Sequence, residues 1–157
     1  MDEIDSRLID LFAAEPRIGV LQASRRLGIA RGTVQARLDK LASTGVITGW
    51  GPDVSPAAIG FPVMAFLTLE IRQGSATSGG HDAVARHLSA IPEVLEAYTI
   101  TGAGDMWARV VARSNADLQR VIDLVLTDPG IDRSTTVIAL ATQIPHRVLP
   151  LARAAVT

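Results

Sequence analysis

Apolar residues in the first part of the chain recur at the spacing of an α-helix. Four of them lie at offsets of 0, 4, 7 and 8 and share one face of a helix over residues 2–14: Ile4, Leu8, Leu11 and Phe12. Asp2 is able to cap the start of this helix, and Pro16 disfavours the helical conformation at the residue before it. The pattern therefore predicts one short helix with defined ends.

Two further helical segments follow, separated by a tight turn. A helix over about residues 20–27 ends at Gly28, which is able to take the left-handed conformation that terminates helices. Three apolar residues of the third segment recur at spacings of 4 and 3 and are expected to pack inward: Val34, Leu38 and Leu41. The chain then turns back at residues 49–52, which predicts a small wing after a helix-turn-helix.

The second part of the chain changes from helical to alternating periodicity. Five apolar residues occupy every second position, as in a strand with one buried face: Val63, Ala65, Leu67, Leu69 and Ile71. A loop over residues 74–80, a short helix and a hairpin with strands at 94–101 and 106–113 come next. A helix after Asn115 and a strand over 133–142 complete a β-α-β-β-α-β order. That order folds as one four-stranded antiparallel sheet with both helices on one face.

These patterns predict an α+β protein with two domains. We expect an N-terminal winged helix-turn-helix domain over residues 1–52, a linker over 53–60, a C-terminal ferredoxin-like βαββαβ domain over 61–144 and a tail over 145–157. The second face of the sheet carries apolar side chains and has no cover from its own chain. Because such a face on a small domain favours a partner over water, we expect a homodimer formed sheet to sheet.

Charge is distributed unevenly along the chain. The formal net charge is -1, yet residues 20–51 set five positive side chains against Asp39 alone: Arg25, Arg26, Arg31, Arg37 and Lys40. Basic residues confined to one segment are typical of a site that faces phosphates. There is neither a run of about 18 apolar residues nor a leader segment, so we expect a cytoplasmic protein that does not enter a membrane.

Several kinds of chemistry are disfavoured by the residues present. The lack of cysteine removes disulfides, thiolate zinc sites and thiol nucleophiles. The three histidines show no metal-ligand spacing, and no Ser/His/Asp arrangement or carboxylate pair stands out. We therefore expect no catalytic site, no metal and no cofactor.

Five segments, in their order along the chain, carry a resemblance to a known family. They are IDSRLIDLF, RIGVLQASRRLGIA, TVQARLDKLASTGVITGW, VLEAYTITGAGD and MWARVV. Over nearly its whole length the chain resembles the leucine-responsive/AsnC (Lrp/AsnC) family of bacterial and archaeal transcription regulators. The resemblance implies a sequence-specific regulator that binds an operator in double-stranded DNA. It also implies a homodimer that assembles to an octamer, with an amino acid or similar metabolite bound between dimers.

The expected DNA contacts lie on the third helix, because the N-terminal part of a recognition helix enters the major groove. Arg31 and Gln35 are predicted to reach base edges, since their paired polar groups distinguish guanine or adenine. Thr33, Arg37 and Lys40 are predicted to contact phosphates, which position the protein without specifying sequence.

The resemblance places an effector pocket at the hairpin turn. Members of the family usually have Gly-x-Tyr-Asp there, whereas this chain has lost the aromatic residue. The residues predicted to line the pocket are Gly102, Ala103, Gly104, Asp105, Thr135 and Thr136. Backbone amides suit an α-carboxylate, and the aspartate suits an α-ammonium group, so a free amino acid is the expected ligand.

Two further departures from the family concern helix starts. Gly19 stands where the family usually has serine or threonine before the second helix, and Ala30 stands where it usually has serine at the start of the third. Alanine at such a position costs about 0.5–2 kcal/mol relative to serine, and glycine only a few tenths.

Two alternatives remain open at this point. One is a regulator of the same fold whose altered turn binds no ligand. The other is a tetrapyrrole-binding protein like the haem-biosynthesis decarboxylases that resemble this family, which would be expected to use a histidine in the sensing half. The predicted sheet carries no histidine.

Overall fold

The computed structural model describes residues 1–72 and 80–156, which divide into two compact units. The first unit combines Met1–Asp53 with Ile144–Thr157, and the second is Val54–Gln143. The loop predicted over residues 74–80 lies outside the described residues except for Gly80, where a helix begins.

The first unit contains the three predicted N-terminal helices. Helix α1 spans Glu3–Ala14, α2 spans Val20–Leu27 and α3 spans Arg31–Ser43. Gly28 ends α2 with a φ of 70°, the left-handed conformation predicted for it. The three inward-facing residues predicted on α3 are confirmed as buried: Val34, Leu38 and Leu41. Residues 44–52 form turns and irregular backbone rather than strands.

The second unit has the predicted β-α-β-β-α-β order. Its elements are β1 (Val63–Ile71), α4 (Gly80–Ser89), β2 (Val94–Thr99), β3 (Met106–Ala112), α5 (Asn115–Val125) and β4 (Ile131–Ile138). The strands form one sheet in the order β2-β3-β1-β4, and every neighbouring pair is antiparallel. The α+β prediction is thus confirmed.

Strand β4 begins two residues earlier and ends four residues earlier than the strand predicted over 133–142. Strand β4 ends early because its partner β1 runs antiparallel to it and begins at Val63. The last hydrogen bond between the two strands joins the Ala139 N–H to the carbonyl oxygen of Met64 at 2.9 Å. The residues beyond this bond have no neighbouring strand to extend the ladder.

The two faces of the sheet differ in cover. Alternate residues of β1 are buried together with apolar side chains of α4 and α5, so both helices lie on one face as predicted. The core on that face includes Leu67, Leu69, Val84, Leu88, Leu118 and Val121. The intervening residues of β1, such as Phe66 and Thr68, are only partly buried and belong to the second, open face.

The predicted tail contains a sixth helix, α6 (Leu149–Ala154), which belongs to the first unit and packs on α1. Arg153 Nε donates to Asp10 Oδ1 at 2.8 Å. Both side chains are substantially exposed, so we assign this pair about 0–1 kcal/mol.

Candidate functional site

Helix α3 presents one apolar and one polar face. The buried residues Val34 and Leu38 join the core of the first unit. Four of the five residues predicted to contact DNA are exposed on the same helix: Arg31, Thr33, Gln35 and Lys40. The fold thus directs this set away from the core, and the fifth residue, Arg37, is half-buried.

The first turn of α3 leaves its backbone donors without a side-chain cap. Ala30 has the extended conformation of a helix N-cap, with φ -61° and ψ 141°, but its methyl group accepts no hydrogen bond. The N–H groups of a helix's first turn point along the axis and carry the positive end of its dipole. A Cβ added at Gly32 would meet no atom within 4 Å, so the backbone is open to close approach at this end. This end of α3 therefore suits an anion such as a phosphate.

Gln35 has a neighbour on its own helix. Its Nε2 donates to Asp39 Oδ1 at 2.8 Å, and both residues are exposed. Such a pair one turn apart contributes only about 0.2–0.5 kcal/mol. The amide is therefore able to exchange this bond for a contact with a base edge at small cost.

Arg37 has a different environment from the one predicted. Its Nη1 lies 2.8 and 2.7 Å from the two carboxylate oxygens of Asp2 and 2.6 Å from Asp5 Oδ1. The hydrogen bonds that Arg37 donates to the two aspartates raise the pKa of Arg37, and the pKa of Asp2 is lowered by the backbone N–H of Asp5 and by Arg37. The charge of Arg37 is therefore paired with two carboxylates inside the first unit.

The basic segment is divided by such pairing. Arg26 Nη1 lies 2.6 Å from Glu15 Oε1, so it too is neutralised locally. Within residues 1–72 and 80–156, no carboxylate oxygen lies within 4.0 Å of a charged nitrogen of the three remaining members: Arg25, Arg31 and Lys40. In the described residues, two of the five basic side chains are thus paired with carboxylates, and the pair of Arg26 is exposed and weak.

The hairpin turn predicted to bind an effector packs tightly on β1. Gly104 has a φ of 97°, and a Cβ added there would lie 2.4 Å from Cγ2 of Thr68. The Asp105 N–H donates to the Leu69 carbonyl at 2.9 Å, and Asp105 Oδ2 accepts from the Ile71 N–H at 2.7 Å. Asp105 thus ties the turn to the end of β1, and one of its carboxylate oxygens is already engaged.

Thr135 and Thr136 do not share a surface. Thr135 pairs with Thr68 on the open face of the sheet, whereas Thr136 pairs with Leu67 on the face covered by helices. Successive side chains of a strand point to opposite faces, so the two threonines cannot line one pocket with their side chains. Of the two threonines predicted for the pocket, Thr135 lies on the open face opposite Thr68, a neighbour that the sequence analysis did not identify. The alternation of β1 was the signal that could have identified it.

Aromatic and charged side chains cover much of the open face. The rings of Phe66 and Trp107 stack with centroids 5.1 Å apart, and Tyr98 lies 6.0 Å from Trp107. Arg109 Nε lies 3.0 Å from Glu96 Oε1, yet it is buried without a well-directed hydrogen bond, so we regard the pair as ionic. The Tyr98 hydroxyl donates to Glu96 at 3.1 Å, and this bond raises the pKa of Tyr98.

The described residues also bear on metal binding and membrane insertion. No group of three or more His, Asp or Glu side chains is arranged to hold a metal ion in residues 1–72 and 80–156. No helix in the same ranges is both long and apolar enough to cross a membrane.

Two protein families match successive parts of the chain. Residues 1–48 match the winged helix-turn-helix DNA-binding family. Residues 64–149, more than half of the chain, match the Lrp/AsnC ligand binding domain. The two matches correspond to the helical first unit and to the βαββαβ second unit.

Individual proteins match over almost the full length. The HTH-type transcriptional regulator FL11 of Pyrococcus horikoshii is 28% identical over 96% of this chain and 97% of its own length. The structure of AsnC from Escherichia coli has a TM-score of 0.84 at 28% identity, covering 96% of this chain and 99% of that one. A transcriptional regulator of Neisseria meningitidis solved as a complex with L-Met shares the fold, with a TM-score of 0.80 at 20% identity and 93% coverage of both chains.

The relatives named above are regulators rather than enzymes, which removes the decarboxylase alternative. Both the DNA-binding and the ligand-binding parts are present in the order typical of such regulators. The chain therefore belongs to the Lrp/AsnC family of transcriptional regulators.

Proposed function

We propose that this regulator binds operator DNA through the exposed start of α3. The observation that carries the proposal is the outward-facing set of Arg31, Thr33, Gln35 and Lys40 on a helix whose opposite face is anchored in the core. Arg31 and Gln35 read base edges in the major groove, and Thr33 and Lys40 contact phosphates. Arg37 is left out of this contact set because two carboxylates hold its guanidinium.

The active species is a homodimer formed through the open face of the sheet. The stacked rings of Phe66 and Trp107 favour contact with a second copy over contact with water. A two-fold dimer presents a pair of α3 helices to half-sites about 34–36 Å apart, or a multiple of that distance. The resemblance to the family extends this assembly to an octamer of four dimers. Because its partner is DNA, the regulator works in the cytoplasm.

An amino acid or similar small metabolite modulates the regulator from the hairpin turn. The match to a ligand-binding domain and the L-Met complex of the Neisseria relative support this choice of effector class. In this chain the candidate contacts are the turn residues Gly102, Ala103, Gly104 and Asp105, with the hydroxyl of Thr135. A ligand that prefers one assembly or DNA-binding state shifts the population toward that state.

A regulator without a ligand response is the second candidate. Two observations favour it: the turn lacks the family's aromatic residue, and Cγ2 of Thr68 occupies the space beside Gly104. Engagement of Asp105 Oδ2 with the Ile71 N–H also reduces the acceptors left for an ammonium group.

Fluorescence anisotropy with the DNA upstream of the protein's own gene tests the DNA-binding proposal. Arg31→Ala should weaken binding about 5- to 150-fold, the loss of one base contact of about 1–3 kcal/mol. Arg86→Ala removes an exposed arginine from α4 and serves as the matched control. Equal affinity of both variants, or binding that does not fall between 50 and 200 mM salt, would contradict the docking.

Thermal unfolding in the presence of each of the twenty amino acids separates the two candidates for regulation. A ligand at about 100 times its dissociation constant stabilises the folded state by about 2.7 kcal/mol. A shift with one amino acid that disappears in Thr135→Val supports the pocket, and no shift with any of them supports the ligand-independent regulator.

A further inference from the structure

A cluster of three charged side chains joins the start of α1 to the middle of α3. Arg37 is 35 residues away from Asp2 in the sequence, and its Nη1 contacts both oxygens of that carboxylate at 2.8 and 2.7 Å. The same nitrogen lies 2.6 Å from Asp5 Oδ1. These contacts connect the helix proposed to read DNA with a helix that carries none of the proposed DNA contacts.

The two aspartates are themselves fixed in place. Asp2 Oδ1 accepts from the Asp5 N–H at 2.9 Å, and Asp5 Oδ2 accepts from the Asp2 N–H at 3.1 Å. This reciprocal capping box holds both carboxylates against the first turn of α1. The side chain of Asp5 is only 8% exposed and that of Arg37 26%, whereas that of Asp2 is 52% exposed, so the contact with Asp5 is shielded and the contact with Asp2 lies at the surface. Arg37 is thus attached to a rigid support.

Such a support constrains α3 in a way that its apolar contacts do not. Burial of Val34 and Leu38 stabilises the packing of α3, but hydrophobic contact has little directional preference. Charge-assisted hydrogen bonds are short and directional, and Arg37 lies at the edge of the buried face, directly before Leu38. The cluster therefore fixes the rotation of α3 about its axis, and with it the direction of Arg31 and Gln35.

We infer that Arg37 is a positioning residue for DNA recognition, held by Asp2 and Asp5, and makes no contact with phosphate. The inference rests on the proposed role of α3 in reading DNA. It predicts that losing the cluster reduces discrimination between operator and unrelated DNA, because the base-reading side chains lose their fixed direction. A residue bound to phosphate would instead change affinity for every sequence alike.

The dependence of DNA affinity on salt separates the two roles. Each phosphate contact contributes about 0.9 to the slope of log K against log salt. Arg37→Gln should weaken operator binding about tenfold, the scale of one lost base contact, and leave the slope unchanged. Lys40→Gln, which removes a proposed phosphate contact from each of the two α3 helices of the dimer, should reduce the slope by about 1.8.

The aspartates provide the matched variants. In Asp2→Asn/Asp5→Asn both charges are removed, while each side chain keeps an oxygen for the capping box. The double variant should lose operator selectivity as Arg37→Gln does. Combining all three changes should reduce selectivity no further than the double variant or Arg37→Gln does alone. Because all three contacts come from the single nitrogen Nη1, Arg37→Lys keeps a charged donor group and should retain more operator selectivity than Arg37→Gln. Circular dichroism and thermal unfolding identify any variant that has lost its fold.

The outcomes distinguish this inference from the proposed function. If the wild-type protein binds no DNA, the proposed function fails. If the wild type binds but Arg37→Gln reduces the salt slope by about 1.8, as the loss of one phosphate contact in each protomer of the dimer would, Arg37 contacts a phosphate and the inference is overturned. Tighter operator binding by Asp2→Asn/Asp5→Asn with unchanged selectivity would overturn it as well, because freed Arg37 would then be acting on DNA directly.

Discussion

Replacing Gly104 with alanine tests how closely the hairpin turn packs on β1. The added Cβ would lie 2.4 Å from Cγ2 of Thr68 and 3.3 Å from the carbonyl oxygen of Leu69. Carbon atoms normally approach no closer than about 3.5–4.0 Å. The methyl group therefore overlaps Thr68 by about 1 Å, at a position held between the sheet and the turn.

Two terms set the size of the effect. Forcing an extra methyl into a packed site costs about 1–3 kcal/mol. The φ of 97° at Gly104 is unfavourable for any residue with a Cβ and adds about 1–3 kcal/mol. We expect Gly104→Ala to lower the free energy of unfolding by about 2–6 kcal/mol. For a chain of this length each kcal/mol shifts Tm by about 2–4 °C, which calorimetry resolves.

The neighbouring glycine supplies the control. Gly102 has a φ of 105°, but a Cβ there meets no atom within 4 Å, so Gly102→Ala carries only the backbone cost. Thr68→Ser removes the atom that causes the overlap and should recover part of the loss caused by Gly104→Ala. The reasoning is refuted if Gly104→Ala is no more destabilising than Gly102→Ala, or if Thr68→Ser recovers nothing.

Three further changes have defined outcomes. Ala30→Ser gives α3 the side-chain cap that it lacks and should raise the free energy of unfolding of the first unit by about 0.5–2 kcal/mol in denaturant titration, whereas Gly19→Ser should gain only a few tenths. The backbone N–H of Asp5 and the side chain of Arg37 lower the pKa of Asp2 from its ordinary value of 3.8. The ionised carboxylate therefore stabilises the folded state above pH 3.8, and this stabilisation is lost as the pH falls below that value. The difference in free energy of unfolding between wild type and Asp2→Asn should accordingly narrow in acid. Trp107→Lys introduces a charge in the open face and should shift the dimer to monomer in sedimentation, and a wild-type monomer would contradict the sheet-to-sheet dimer.

Most of the fold could be predicted because it follows from short-range periodicity. The alternation from Val63 to Ile71 survives in the structure as alternating burial along β1. The cap at Asp2 and the left-handed Gly28 are local features whose chemistry depends on only a few neighbouring residues. The end of β4 was misplaced because a strand ends where its partner ends, and that information lies on β1, far away in the sequence.

The candidate site was less predictable because side-chain roles depend on contacts between distant residues. Arg31 and Arg37 are six positions apart on one helix, yet only Arg37 meets Asp2 and Asp5. In the sequence Arg37 directly precedes the inward-facing Leu38, and the first helix begins with acidic residues at positions 2, 3 and 5. Joining these two facts would have required the packing angle of α1 against α3, which periodicity does not provide.

The altered turn shows why a change from a family's pattern has to be judged together with its neighbours. An aromatic residue in place of Gly104 would have to enter the volume that Cγ2 of Thr68 fills, with a φ that residues with a Cβ rarely adopt. On this backbone a side chain at position 104 and threonine at position 68 therefore exclude each other. The glycine does not leave an empty space in the pocket, since the threonine methyl occupies it. Position 104 therefore supplies no ring to an effector at this turn.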